Sequence, residues 1–274
     1  MAFLATGFQE SDLDKTGSLI SCLDAIRSHP FFKEVKEESF RLLDLHAGDR
    51  LLEVGCGTGW DAWSLASLTG QKGLVAAIDP GLSMLREAQN RSSCSVSSTH
   101  KGNSPVFARM DGRFLGFGNA VFDAVREDRA LQHIEYPETV VCEMLRVLKP
   151  DGRFVLFEPD WELFIIDHPM PEITRTILNF WADQFMNGWI GRRLCRICLD
   201  HGARDLTAIP RTLILYDLDT CDQIFGIRDT ILHAREAGLI SKDDGEDWLS
   251  ALKELDKTGR FFSSFTGFLV TGRK

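Results

Sequence analysis

The sequence lacks any long apolar run and does not begin like an exported protein. No stretch approaches the roughly 18 or more apolar residues that a membrane-spanning helix requires. Residues 1–12 have neither the basic start nor the apolar core of a signal peptide. We therefore expect no membrane span and a cytoplasmic location.

A disulfide framework is also missing. The chain has 7 cysteines among 274 residues, and an odd, scattered set is not the pattern of a disulfide-stapled domain. Cys195 and Cys198 form a C-x-x-C pair, but no second pair follows at zinc spacing and the pair falls within a helical pattern. We predict no metal site.

Positive charge is scarce as well. The net charge is −9, and an acidic surface repels phosphate backbones, which disfavours a nucleic-acid partner. Arg192, Arg193 and Arg196 form the only compact basic cluster. The length and the 44% hydrophobic content fit one globular α/β domain with a decorated cap, as a monomer or a homodimer.

Strands and helices alternate through the first half of the chain. The apolar runs predict strands at 49–54, 73–78, 105–108, 122–126 and 153–158. This alternation favours parallel β-α-β units, and hence an open sheet with helices on both faces. Further on, helices are predicted at 171–186, 192–201, 220–237 and 242–257, and extended segments at 206–218 and 265–271. Two helices between the last strands form an insertion that we expect to act as a lid.

A glycine-rich loop follows the first predicted strand. Gly55, Gly57 and Gly59 permit a sharp turn and the close approach of a ligand to the main chain. A dinucleotide fingerprint needs a third glycine at position 60, where Trp60 stands, and the loop has no lysine. The loop therefore argues against a nicotinamide-dependent oxidoreductase and favours a ligand with a compact polar head.

Acidic residues follow the next two strands, at the edge where open α/β sheets bind ligands. Asp79 is placed to accept hydrogen bonds from both hydroxyls of a ribose, or else it begins an Asp-Pro turn or caps the next helix. Asp111 is placed to accept from an adenine amino group, or else it makes a turn with Gly112.

These residues carry a resemblance to a family. The segment LLEVGCGTG at 51–59 resembles motif I of class I S-adenosylmethionine-dependent methyltransferases, and AIDP at 77–80 followed by Met84 resembles the second motif. The segments FDAV at 122–125 and LRVLKPDG at 145–152 are similar to the fourth-strand motif and the turn before strand five. The pattern is most similar to the UbiE-like branch, also called methyltransferase type 11, which acts on small molecules.

The resemblance implies a Rossmann-like sheet of seven strands, the last antiparallel, and S-adenosylmethionine as cofactor with S-adenosylhomocysteine as product. It divides the single domain 1–274 into a cofactor-binding core at 45–160 and a cap with the lid at 161–262. It also assigns the cofactor-binding residues. These are Glu53, Gly55, Cys56, Gly57 and Gly59 at the methionine moiety, Asp79 with Pro80 and Met84 at the ribose, Asp111 and Gly112 at the adenine, and the main chain of Arg126 at the amino-acid end. The chain departs from the family at Asp151, where glycine is usual, and in a long loop at 91–104.

An oxygen or carbon acceptor must lose a proton, which calls for a general base. His133 and Asp160 are the candidates, although His133 is equally placed to pack beside the cofactor and Asp160 to bind substrate or end the strand. Arg126 and Arg129 are placed to pair with a substrate carboxylate or phenolate, or with neighbouring acidic side chains. An aromatic wall is expected to line part of an apolar acceptor pocket. Its members are Trp161, Phe164, Trp181, Phe185 and Trp189.

The sequence thus predicts a methyltransferase that acts on an O, N or C atom of a small organic acceptor, quinone-like or a secondary metabolite. The alternative is a non-catalytic S-adenosylmethionine-binding regulatory protein with the same fold. No base-flipping motif of the Asn-Pro-Pro-Tyr type follows the fourth strand.

Overall fold

A computed structural model describes residues 13–95 and 103–274. The helices are α1 (Leu13–Ser28), α2 (Pro30–Leu42), α3 (Trp60–Thr69), α4 (Leu82–Ser95), α5 (Pro137–Val147), α6 (Pro171–Asp183), α7 (Ile190–Asp200), α8 (Leu218–Phe225), α9 (Ile227–Glu236) and α10 (Lys242–Lys257). The strands are β1 (Arg50–Val54), β2 (Leu74–Asp79), β3 (Val106–Arg109), β4 (Phe122–Asp128), β5 (Leu148–Ile166), β6 (Arg204–Leu215) and β7 (Ser263–Arg273). In these ranges, no helix is long and apolar enough to cross a membrane.

The seven strands form one sheet in the order β3-β2-β1-β4-β5-β7-β6. Strands β1 to β5 pair in parallel, whereas β7 runs antiparallel to both β5 and β6. The carboxyl ends of β1, β2 and β4 therefore meet at one edge, where chain order reverses between β1 and β4. The predicted Rossmann-like sheet of seven strands, with its last strand antiparallel, is confirmed.

Alternating side chains of the strands build a core on each face of the sheet. Leu51 and Val75 pack with α2 and α3 on one face, and Leu52 and Ala76 pack with α5 and α7 on the other. Cys198 lies within the second core as a free, buried thiol, and burial raises its pKa to about 12. The C-x-x-C pair thus belongs to the packing of α7.

A third core lies above the carboxyl edge and forms the cap. It is built by α1, α6, α8, α9 and α10 around the ends of β5 and β7. Strand β5 is much longer than the predicted 153–158, because it continues past Pro159 as the partner of β7. The helix predicted at 220–237 is instead two helices, because Gly226 adopts a left-handed conformation (φ 65°) between them.

Two departures from the family pattern have different outcomes. Asp151 has φ 62°, the left-handed conformation that explains why glycine is usual at this turn. In the loop predicted at 91–104, helix α4 continues to Ser95, and residues 96–102 lie outside the described part of the chain.

Two buried carboxyl groups fix the turn that follows β4. Glu127 accepts hydrogen bonds from the main-chain N–H groups of Ala130 and Leu131, and Glu158 on β5 accepts from that of Gln132 at 3.2 Å. Both side chains are fully buried, and the second carboxyl oxygen of each, Oε2, has no hydrogen-bond partner in the described ranges. Burial raises the pKa of Glu127 to about 7, and burial together with the charge of Glu127 raises the pKa of Glu158 well above its ordinary value.

This pair makes the folded state sensitive to pH. Between the ordinary carboxyl pKa and the raised values, the folded state binds more protons than the unfolded state, so stability falls as pH rises. The substitution Glu158→Gln replaces the protonated carboxyl by a neutral amide of the same shape. We predict that it increases the free energy of unfolding relative to the wild type more at pH 8 than at pH 5.5, by an extra amount on the order of 1–3 kcal/mol. This difference appears as a larger rise of the thermal midpoint at pH 8.

Scanning calorimetry at the two pH values checks this, with the exposed Glu236→Gln as the matched control. An equal effect of Glu158→Gln at both pH values would show that the pair does not hold a proton.

Candidate active site

The glycine loop between β1 and α3 is shaped by close contacts that exclude larger side chains. A Cβ atom on Gly55 would lie 2.4 Å from Cβ of Ala130, in the turn after β4. Gly57 has φ 50° and faces open space, and its N–H donates to Oδ2 of Asp79 at 2.9 Å. Gly55, Cys56 and Gly57 line a cavity at the carboxyl edge of the sheet, so the main chain of the loop is open to a ligand.

Gly59 has a different reason to be glycine. Its φ is 76°, and a Cβ atom there would lie 2.6 Å from Ala88 and 2.8 Å from the ring of Phe107. It is not among the residues that line the cavity. Gly59 therefore lets α3 begin tightly against α4 and β3, and its contact with the cofactor stays a prediction.

Asp79 joins the glycine loop to the start of α4. Its Oδ1 accepts from the N–H of Gly81 at 2.8 Å, as the Asp-Pro turn interpretation requires, while Oδ2 accepts from Gly57. Each carboxylate oxygen has two acceptor sites, so these bonds leave acceptor capacity toward the cavity that Asp79 lines together with Pro80 and Met84. Burial raises the pKa of Asp79, and the two main-chain N–H groups oppose that rise.

Asp111 and Gly112 line the far end of the same cavity. Asp111 forms an ion pair with Arg113, with 2.7 Å between Oδ2 and Nη2, and accepts from the main-chain N–H of Arg113. These hydrogen bonds hold the pKa of Asp111 below its ordinary value. A Cβ atom on Gly112 would lie 3.1 Å from Val54 and 3.2 Å from Val140, so this turn is tightly packed against the sheet.

Arg126 is not at the end of its strand, as predicted, but inside it. The side chain is fully buried and donates to Glu53 and Asp128, each at 2.7 Å, and to Ser39 at 2.9 Å. It does not line the cavity, because β4 continues to Asp128 and brings Asp128 and Arg129 to the edge instead. The side chain of Arg126 holds the carboxylates around it, and the contact of its main chain with the cofactor stays a prediction.

Glu53 lies between this cluster and the cavity. Its Oε1 accepts from Arg126, whereas its buried Oε2 has no hydrogen-bond partner in the described ranges. Burial raises the pKa of Glu53 to about 7, although the charge of Arg126 opposes the rise. A buried acceptor without a donor at the cavity wall is suited to a cationic group of a ligand.

The two candidate bases differ in their surroundings. His133 lines the cavity, but burial and the charge of Arg129 lower its pKa to about 3, so it is neutral and weakly basic at physiological pH. Asp160 does not line the cavity; it is fully buried and forms an ion pair with Arg192, whose Nη2 donates to Oδ1 at 2.7 Å. This pairing keeps Asp160 away from the cavity, and its role as a base stays a prediction.

Aromatic rings close the cavity on the side of the cap. Trp161 stacks on Phe185, with 4.9 Å between ring centroids, and its Nε1 donates to Oε1 of Gln132 at 2.7 Å. Phe225 and Phe265 complete what we call the aromatic chamber, defined by Trp161, Phe185, Phe225 and Phe265. Of the predicted aromatic wall, Phe164 and Trp181 pack behind the chamber in the cap core, and Trp189 lies half-exposed against Arg192.

The N-terminal helices supply a wall that the sequence did not reveal. Leu19, Leu23 and Ile26 of α1, and Phe32 and Lys36 of α2, line the cavity, although all precede the predicted core at 45–160. They are far in sequence from the motifs, and no local pattern marks them as ligand contacts. The cavity has a volume of about 890 Å³, at the upper end of the range for small-molecule sites, and it is continuous from Asp111 to the aromatic chamber.

The chain is similar in sequence to known proteins. A family model described as "Methyltransferase domain" matches residues 52–156. An uncharacterized 37.1 kDa protein in transposon TN4556 of Streptomyces fradiae is 31% identical over 256 residues, which cover 93% of this chain and 71% of that protein. The ubiquinone/menaquinone biosynthesis C-methyltransferase UbiE of Teredinibacter turnerae is 31% identical over 123 residues, 45% of this chain and 48% of the enzyme.

Among solved structures, phosphoethanolamine N-methyltransferase 2 of Haemonchus contortus, in complex with phosphomonomethylethanolamine and S-adenosylhomocysteine, superposes with a TM-score of 0.58 and 17% identity. The superposition covers 96% of this chain and 58% of that one, which shows a shared fold. The domain match, the partial similarity to UbiE and the fold agree, and the chain belongs to the class I S-adenosylmethionine-dependent methyltransferases.

Proposed function

We propose that this methyltransferase acts on a small, largely apolar organic molecule that binds in the aromatic chamber. The observation that carries the proposal is the continuity of the cavity, which joins the glycine loop and Asp79 at one end to Trp161 and Phe265 at the other. A volume of about 890 Å³ leaves room for both a cofactor and a small acceptor.

The cofactor end fits S-adenosylmethionine. We assign the main chain of Gly55–Gly57 and the free Oε2 of Glu53 to its methionine moiety, the Asp79 carboxylate to its ribose, and Asp111 with Gly112 to its adenine. Oε2 of Glu53 accepts no hydrogen bond in the described ranges, and the carboxylate of Asp79 keeps unused acceptor sites. The assignments of these two residues therefore rest on groups that the protein leaves open to the cavity. When bound, the cofactor supplies a methyl group that is already activated on a sulfonium centre.

The protein then has to orient the acceptor and exclude water. The aromatic chamber does both, because its rings are packed against one another and against the cap core. His133 faces the cavity in its neutral form, and we assign it to shaping the pocket and offering a neutral hydrogen bond. Residues 45–160 are the proposed cofactor-binding core and 161–262 the cap, to which α1 and α2 add a further wall.

Asp79→Asn removes the charge that holds the ribose and one acceptor of the loop. We predict that the Kd for S-adenosylhomocysteine rises by about tenfold or more, as expected for hydrogen bonds to a charged group. Isothermal titration calorimetry measures this change. The matched control is Asp151→Asn, an exposed aspartate paired with Arg204 on β6, for which no change is expected.

Equal Kd values for the wild type and Asp79→Asn, with thermal midpoints unchanged in the absence of ligand, would contradict the ribose assignment. A wild type that does not bind S-adenosylhomocysteine at all would contradict the proposed cofactor site as a whole.

The transfer of a labelled methyl group from the cofactor to compounds of a cell extract identifies the kind of acceptor. With S-adenosylmethionine labelled in its methyl group and an extract of the source cells, we expect label in low-molecular-mass compounds that partition into an organic solvent. The reason is that the aromatic chamber offers apolar area and few polar partners.

Asp79→Asn serves as the control and should reduce the labelling. Label found in protein or nucleic acid would contradict a small-molecule acceptor, and no transfer despite cofactor binding would favour the regulatory alternative. The cytoplasmic location and the monomeric or homodimeric state stay predictions from the sequence.

A further inference from the structure

A positive charge lies between the cofactor end of the cavity and the aromatic chamber. Arg129 follows β4 with φ 59°, a conformation that non-glycine residues seldom adopt, and its N–H is held by the carbonyl of Phe157 at 2.8 Å. Its guanidinium carbon lies 5.0 Å from the ring centroid of Phe32, which stacks on Phe265 of the chamber. The guanidinium of Arg129 therefore lies where the cavity borders the aromatic chamber.

Arg129 uses only part of its hydrogen-bonding capacity. Its Nε donates to Oδ1 of Asp128 at 2.9 Å, whereas neither Nη atom has an acceptor within residues 13–95 and 103–274. The side chain is 18% exposed and lines the cavity. A guanidinium has five donors in a planar fork that matches a carboxylate, so two of its nitrogen atoms remain available to a ligand.

Several other cations of the cavity wall already have neighbouring groups. Lys36 is paired with Asp61 and with Asp128, and Arg113 with Asp111. Arg27 stacks on Trp60, with 4.4 Å from its guanidinium carbon to the ring centroid. Arg27 also has an Nε without a hydrogen-bond partner in the described ranges, but Arg129 is distinguished by its place next to the aromatic chamber, against Phe32.

The charge balance around Arg129 also favours an anion. Asp128 is shared by Arg126, Lys36 and Arg129, and Asp61 is shared by Lys36 and Arg126. The third carboxyl of the cluster, Glu53, has its pKa raised to about 7 and is therefore not fully ionised at neutral pH. Three cations thus face two ionised carboxylates and a third that is only partly ionised.

The polar groups nearest to Arg129 do not compete for it. Gln132 is occupied, because its Nε2 donates to the carbonyl of Arg129 at 2.9 Å and its Oε1 accepts from Trp161. His133 is kept neutral in part by the charge of Arg129 itself. An anion that enters the chamber would therefore meet one cation, a neutral imidazole and apolar walls.

We propose that Arg129 binds an anionic oxygen of the acceptor, so that the substrates are apolar organic acids such as aromatic carboxylates or phenolates. This inference rests on the proposed function, since it concerns the acceptor end of the same cavity. It also accounts for the weak base at His133 and the paired Asp160, because an oxygen that binds as an anion has no proton for the protein to remove.

A second anion could meet the same guanidinium, namely the carboxylate of the cofactor's methionine moiety. The two arrangements make opposite predictions for variants of Arg129. If Arg129 holds the acceptor, its removal leaves cofactor affinity unchanged, whereas if it holds the cofactor, that affinity falls.

The test measures binding and does not depend on turnover. Wild type saturated with S-adenosylhomocysteine is titrated by calorimetry with three pairs of probes: benzoate and benzamide, cinnamate and cinnamamide, and 2-naphthoate and 2-naphthamide. We expect each carboxylate to bind about tenfold or more tighter than its amide, as for a charge-assisted hydrogen bond in a site shielded from water. Arg129→Gln should abolish this preference, and Arg129→Lys should restore part of it.

The exposed Arg175→Gln on α6 is the matched control and should keep the preference of the wild type. Equal binding of carboxylates and amides by the wild type would overturn the inference while leaving the cofactor site intact. A loss of affinity for S-adenosylhomocysteine in Arg129→Gln, comparable to its loss for carboxylates, would overturn it in favour of the cofactor's own carboxylate. Failure of the wild type to bind S-adenosylhomocysteine would instead refute the proposed function.

Discussion

The buried guanidinium of Arg126 joins four elements at the place where the cofactor site is built. It donates to Ser39 of α2, Glu53 of β1, Asp61 of α3 and Asp128 of β4. Arg126 and Glu53 are also directly opposite each other in the parallel pairing of β1 with β4. Removing one partner of a buried ion pair typically costs about 3–5 kcal/mol, so the arrangement resists change as a unit. The position of α2 over the cavity, and hence of Phe32 and Lys36, depends on it.

The turn after β4 shows the same use of buried charge. Glu127 and Glu158 satisfy three main-chain N–H groups of a turn that presses Ala130 against Gly55. Because an alanine Cβ already occupies the space, Gly55 cannot carry a side chain, and the glycine loop and the turn fix each other. The protein thereby shapes this part of the cavity wall with main-chain geometry, which is more rigid than a flexible side chain would be.

The sequence predicted well those features that depend on neighbouring residues. Gly57, Asp79 and Asp111 each follow a strand closely, so their positions at the carboxyl edge follow from local pattern alone. The sequence predicts that the fourth strand ends at Arg126, whereas β4 continues to Asp128. Three charged residues in a row, such as Arg126-Glu127-Asp128, ordinarily lie in solvent. Here Arg126 and Glu127 are buried, and Arg126 and Asp128 are paired with residues distant in sequence, Ser39 and Lys36. The predicted strand at 153–158 likewise stops before Pro159 and Asp160, whereas β5 continues through both residues. Phe32, Phe225 and Phe265 meet only through tertiary packing.

These differences bear on which relatives are informative about the acceptor. The domain model covers residues 52–156, and the match to UbiE covers 45% of the chain and 48% of that enzyme, so the cap and the N-terminal helices lie outside the domain model. The residues that border the aromatic chamber, including Phe32, Phe185, Phe225 and Phe265, come largely from those segments. The relative from Streptomyces fradiae, in contrast, is similar over 93% of the chain. Since a cavity selects its ligand by the walls it presents, similarity confined to part of the chain does not carry an acceptor over from UbiE, and the acceptor of a relative that is similar over most of the chain would be more informative.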